Sequence, residues 1–483
     1  MTKKIFIILA LLVGLLLRLY KIDSPVADWH SFRQADTASV TKIFSEQGID
    51  LLHPRYHDLS NVQSGLNNPQ GYRMVEVPLY NAISVYFHQI FKTNIDVSSR
   101  LVSIILSLAS ALLIYLICYQ TTKLFLPSFF ALCSFIFLPF NIYYSRTILP
   151  EPTAVFFMLL SLYFFRVNLL FSSIALALSI LVKPYTAILL FPVFLTYTLI
   201  YRPKIIKLVL FALITLLPFY FWRKWIGQFP EGIPKSDWLL NNGNTTTFPV
   251  WYKGYNLTFL NQLVAFRPHW FEWLFFQRLS NLILGAFGII PLFLGLVYKK
   301  NHTQAFSFSL IAGIVLYFII VAQGNIQHDY YQVLIIPIIS ILLGFGYYYL
   351  LKFTFSSRAV SLLAILVIFL FSSYFSFITV KGYYQVNNNS ILLAGSKAKE
   401  ILPSSSLVIA PYTGDTAFLY QTGFRGWPVE VYNLDDIVKS YPQHPLYLVS
   451  VNYDQYTNSL IPKYQTVEKT KDYIILQINH GQN

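Results

Sequence analysis

The sequence predicts a polytopic α-helical membrane protein of about eleven transmembrane helices, with a small C-terminal α/β domain outside the bilayer. Three observations carry this reading. Of 483 residues, 55% are hydrophobic and 12% charged, too little charge to cover a soluble surface of that size. Mean hydropathy is +0.53. The apolar residues also fall into successive runs close to the length of a bilayer crossing.

In chain order the runs cover 5–20, 98–119, 125–143, 152–166, 169–182, 184–201, 205–222, 278–298, 304–322, 329–351 and 359–380. A further apolar stretch at 78–91, "PLYNAISVYFHQIF", is short enough to lie along the interface instead. Basic residues decide between these readings. With Lys3 and Lys4 inside and 78–91 not spanning, the inner connections hold Lys123, Arg166, Arg202, Lys204, Lys207, Lys299, Lys300, Lys352 and Arg358. All 21 acids then fall on the outer side or at its edge. If 78–91 crosses, the basic clusters face outward, against the positive-inside rule. The first run is expected to stay as a signal-anchor, because no small-residue cleavage site follows it. The expected location is a bacterial inner membrane, and this topology puts the site and the C-terminus on its extracytoplasmic side.

The domains expected from this threading are a transmembrane module at 1–380, with outer loops 21–97 and 223–277, and an outer domain at 381–483. The tail carries strand-like runs, "SLVIAPY", "PLYLVSVNY" and "DYIILQIN", separated by turn residues such as "YTGD". About 100 residues suffice for a small α/β domain. Cys118 and Cys133 lie in apolar runs, which excludes a disulfide framework and a cysteine-based zinc cluster. The net charge of +14 comes without a basic block or a nucleic-acid motif, so it is read as topology and not as a nucleic-acid surface.

Charged residues in so apolar a chain are functional candidates wherever they meet the membrane. Several converge on the outer side: Arg33 and Asp36, Glu76, Glu151, Lys183, Arg267 and His269, and the run His328, Asp329 and Tyr330. Taken singly, each has an ordinary structural reading. Asp36 is suited to pair with Arg33 three residues earlier on one helix face. Glu151 suits the first turn of a helix, and Lys183 suits the interface. Together they offer a carboxylate to take a proton, cations to hold a phosphate and aromatic rings to stack on a sugar.

The motifs "WHSFRQADTASV", "EVPLYN", "SRTILPEPTAVFF", "LVKPY" and "HDYYQVLIIPI", in that order, resemble the GT-C superfamily of membrane glycosyltransferases. The likeness is to the protein O-mannosyltransferase and aminoarabinose-transferase branch, glycosyltransferase family 39, and covers about the first 350 residues. The resemblance implies that Asp36 is the catalytic base, Glu151 a second catalytic acid, and Glu76 a metal-holding or site-shaping residue. In many members two acids are adjacent in the first loop, whereas Asp36 stands between Ala35 and Thr37. The resemblance also implies a horizontal helix in that loop, matching 78–91.

The expected function is therefore inverting transfer of a hexosyl or pentosyl group from a polyprenyl-phosphate sugar to a hydroxyl acceptor on a lipid, glycan or protein. Arg33, Lys183, Arg267, His328, Asp329 and Tyr330 are the expected donor-binding residues. No cofactor is required, although Glu76 and His269 offer part of a divalent-metal site. No Gly-rich phosphate loop or Rossmann unit is present, in keeping with a lipid-linked donor. The alternative is a transporter or flippase of lipid-linked saccharides. That reading predicts charges near mid-membrane and paired repeats, and the sequence shows charges at span ends and no repeat.

Overall fold

The computed structural model describes residues 2–235, 268–300 and 302–481. Its contacts divide the chain into two units. A helical unit comprises Met1–Ile22, Arg100–Arg223 and Ser236–Gly382, and a sheet-bearing unit comprises Asp23–Ser99, Lys224–Lys235 and Tyr383–Asn483.

Every apolar run expected to span carries helix. Ile95–Thr122, Ile205–Ile226, Thr303–Ile320, Asp329–Thr354 and the stretch beginning at Arg358 are long and apolar enough to cross a membrane. Phe125–Phe137, Glu151–Phe164, Leu169–Val182 and Tyr185–Tyr201 are apolar but shorter. Two runs are interrupted. The run 125–143 stops at Leu138, whose extended backbone (ψ 119°) is the conformation that Pro139 imposes on the residue before it; a short helix, Pro139–Tyr144, then restarts. The run 278–298 is a π-helix, Glu272–Ile283, and an α-helix, Ile289–Val297, with Gly285 and Ala286 at positive φ between them.

Apolar side chains gain little by leaving lipid for protein, so close backbone approach and hydrogen bonds have to hold such helices together. Both are present. A Cβ on Gly346 would lie 1.7 Å from the Pro291 carbonyl oxygen, and one on Gly295 would lie 2.1 Å from that of Leu342. Only glycine allows Ile289–Val297 and Ile336–Tyr349 to come this close. Ser179 donates to the Ala154 carbonyl at 2.8 Å and to Thr186 at 2.9 Å, and Ser161 lies 3.0 Å from Ser172. Cys118 is buried and both cysteines are free thiols.

The sheet-bearing unit centres on five strands: β1 (Leu407–Ile409), β2 (Arg425–Trp427), β3 (Leu446–Ser450), β4 (Gln465–Lys469) and β5 (Ile474–Asn479). Their order is β2-β1-β3-β5-β4, with β1 parallel to β2 and β3, and β5 antiparallel to β3 and β4. One face packs Val408, Tyr447 and Ile475 on the helix Asn389–Ile401 and on Phe418 and Leu419. The other packs Ile409, Leu448 and Ile474 on Leu434, Tyr456 and Leu460. The segment 78–91 forms the helix Leu79–Phe91 and belongs to this unit.

Candidate active site

The site is built around the helix Ser31–Gln47 of the sheet-bearing unit. This helix has almost no apolar stripe, yet it buries Arg33, Gln34, Asp36, Thr37, Ser39 and Thr41. Burying so many polar groups is tolerable only when each has a partner. Asn81 supplies one contact, donating to the Thr37 carbonyl and to Thr41, each at 2.8 Å. Thr37 and Thr41 bond back to carbonyls four residues earlier at 3.0 and 3.2 Å. The helix begins after His30, which is held at φ 53°.

Asp36 is 1% exposed and accepts from three side chains. Arg73 Nη2 lies at 2.8 Å, Thr416 Oγ1 at 2.7 Å and Gln63 Nε2 at 3.3 Å. Arg33 Nη2 pairs instead with Glu76 Oε1 at 2.6 Å. The four charged side chains line one recess with Thr37 and Asn81, large enough for a single water-sized group. Two more acids stand near. Burial raises Asp58 to about 6, and Asp36 adds to that rise; burial with Asp36 does the same to Asp415. His57, bonded to Ser39, is held down to about 3 by burial and by Lys42, Arg425 and Lys399.

The helical unit holds a second group of charges. Glu151 opens the helix Glu151–Phe164 behind Pro150, and Lys183 ends the helix Leu169–Val182, in extended conformation ahead of Pro184. Lys183 Nζ lies 2.8 Å from Glu151 Oε1, with both side chains buried, and 5.9 Å from the centre of the Tyr331 ring. Asp329 is hydrogen-bonded by Tyr144 and lies 3.9 Å from Arg278 Nη1. His328 stacks on Tyr330 at 5.4 Å.

The structure thus gathers Arg33, Asp36 and Glu76 in one unit, and Glu151, Lys183, His328, Asp329 and Tyr330 in the other. Arg267 and the side chain of His269 lie outside the described residues. The Asp36–Arg33 helix-face pair expected as the ordinary reading is replaced. Arg73 pairs with Asp36, and Arg33 reaches Glu76. Among the described residues no group of three or more His, Cys, Asp and Glu is placed to hold a metal. Sequence reasoning missed Arg73, Gln63, Thr416, Tyr144 and Arg278. Arg73 left a trace, since it precedes Glu76 by three residues in "YRMVEVPLY". Thr416 left none, being 380 residues from the carboxylate that it bonds.

The fold of this chain is shared by solved structures of low sequence identity. Two similar solved structures cover almost the whole chain. ArnT from Cupriavidus metallidurans in the apo state superposes with a TM-score of 0.65 at 13% identity, over 99% of this chain and 98% of that one. ArnT bound to undecaprenyl phosphate superposes with a TM-score of 0.63 at 14% identity, over 97% of each. The Archaeoglobus fulgidus oligosaccharyltransferase AglB, in complex with an inhibitory peptide and a dolichol-phosphate, gives 0.53 at 12% identity, over 93% of this chain and 69% of that one. No protein-family profile and no curated protein matches the sequence.

Proposed function

We propose that this protein is an inverting glycosyltransferase, moving a hexosyl or pentosyl group from a polyprenyl-phosphate donor to a hydroxyl acceptor at the outer face of a bacterial inner membrane. The observation that carries the reading is Asp36, a buried carboxylate held by three donors beside a recess with room for one hydroxyl. The solved structures of similar fold, one with undecaprenyl phosphate and one with a dolichol-phosphate, support a lipid-phosphate donor.

Asp36 takes the acceptor's proton as the acceptor oxygen bonds to the anomeric carbon. The bond from that carbon to the phosphate oxygen breaks, and its electron pair stays on the departing lipid phosphate. Arg73 and Thr416 fix the angle of the carboxylate, and the paired Arg33 and Glu76 line the same recess. In the helical unit Lys183 and Arg278 are the cations suited to a phosphate, and Glu151 sets the position of Lys183. No step requires a metal.

Purified protein given a radiolabelled polyprenyl-phosphate sugar and membrane extract should transfer label to a polyprenyl-free product. Movement of the labelled lipid between leaflets without transfer would reject the enzyme reading in favour of a flippase.

A further inference from the structure

A cavity in the helical unit is lined by Arg166, Lys204 and Lys207, basic residues for which the proposed reaction has no use. Two helices begin on it, Leu169–Val182 and Ile205–Ile226. A helix N-terminus carries partial positive charge, and at the first of these ends Asn168 already accepts from the Leu170 and Phe171 N–H groups. Here two such ends meet three cations, Arg166, Lys204 and Lys207, and no carboxylate among the described residues lines the cavity. Arg166 is steadied by the Tyr201 ring, 4.8 Å from its guanidinium carbon.

Basic residues at a membrane edge commonly serve only to set topology. Shape separates this group from that role. The cations surround a hollow of about 690 Å³, within the roughly 300–1,000 Å³ usual for small-molecule sites. Beyond the cations the wall becomes apolar through Leu170, Leu210 and Phe211. The helix that supplies Leu210 and Phe211 has only 11% of its apolar window buried, so its flank is open to lipid. An anion site that passes directly into an acyl-compatible groove matches one molecule in both halves.

We propose that this cavity binds an anionic glycerophospholipid, its headgroup phosphate among Arg166, Lys204 and Lys207 and one acyl chain along Leu210 and Phe211. Basic pockets between transmembrane helices are suited to such headgroups. Free phosphate shares the charge chemistry but has no use for the apolar wall.

Native mass spectrometry of the full chain, released from nanodiscs of phosphatidylglycerol and phosphatidylcholine, reads occupancy directly and does not involve glycosyl transfer. Retained phosphatidylglycerol in preference to phosphatidylcholine is expected. Lys204→Ala with Lys207→Ala should cut that occupancy roughly five-fold per cation removed. Lys204→Arg with Lys207→Arg should keep it, which guards against a mere folding defect. Lys299→Ala with Lys300→Ala, basic residues outside the cavity, should change nothing. Equal retention of the two lipids, or equal loss in the Lys299–Lys300 variant, overturns the site. Displacement of the lipid by millimolar inorganic phosphate would also overturn the proposal, making this a phosphate site.

Discussion

Two buried carboxylates, Asp36 in the sheet-bearing unit and Glu151 in the helical unit, are held in opposite ways. In the sheet-bearing unit Asp36 is shared among Arg73, Thr416 and Gln63, while Arg33 and Glu76 pair beside it and Asp58 and Asp415 stand close by. In the helical unit Glu151 and Lys183 form a close buried pair between helix ends. A shared carboxylate keeps its position when one donor is lost. A buried pair that loses a member leaves an uncompensated charge. The difference separates residues whose replacement should damage chemistry from those whose replacement should damage the fold.

Asp36→Asn sharpens that contrast most. It keeps the size of the side chain: its one amide oxygen can accept from Arg73 and Gln63 while its NH2 group donates to the Thr416 hydroxyl, so the protein should fold, bind donor almost normally and lose about 10²–10⁴-fold in turnover. Turnover near wild type would remove Asp36 from the role of base. On the other side of the comparison, Lys183→Met should cost the helical unit about 3–5 kcal/mol, read as a lowered thermal midpoint in detergent. Combining it with Glu151→Leu should restore much of that loss. If the double variant is no more stable than Lys183→Met, the pair is not the unit of stability here.

Packing gives a smaller effect. Gly346→Val forces a side chain onto the Pro291 carbonyl and should cost about 1–3 kcal/mol, with the Asp36 chemistry of the surviving protein unchanged.

The pH dependence of the sheet-bearing unit is read as a slope and not as a loss at one pH. Asp58 and Asp415 are raised to about 6 in the fold from a usual value of 3.8. The stability they lend is complete below pH 3.8 and is lost as pH rises through about 6. His57 works in the other direction. Held near 3 against 6.5, it favours the folded state fully above pH 6.5 and progressively less as pH falls from there. Between about pH 4 and 6, Asp58→Asn or Asp415→Asn should therefore flatten the fall in stability with rising pH. His57→Gln should steepen it. A calorimetric pH series on the three variants checks all of these signs.

The membrane elements were legible because each writes a long local signal. An apolar run of bilayer length needs no partner to be recognised, and proline marks where it breaks, as at Pro139. The strands β1, β3 and β5 were legible through the same kind of local run. The two missed strands lack it. β2 is only three residues long, Arg425–Trp427, and β4, Gln465–Lys469, is largely exposed and reads as a polar loop. Half of the candidate site was likewise visible as unusual charge: Asp36, Glu76, Glu151, Lys183 and Asp329. What could not be read was the pairing, because pairing is a property of the fold. Arg33 is nearer to Asp36 in sequence than Arg73 is, and packing gave the contact to Arg73.

The hydrogen bond from Thr416 to Asp36 also bears on how the protein is made. The ribosome releases Asp36 long before Thr416, and the helices of the other unit must be inserted in the interval. Until then the carboxylate waits without one of its three donors. The nascent protein therefore passes most of its synthesis with this carboxylate incompletely braced, and under the proposed role it reaches full competence only when the closing stretch of the chain has docked.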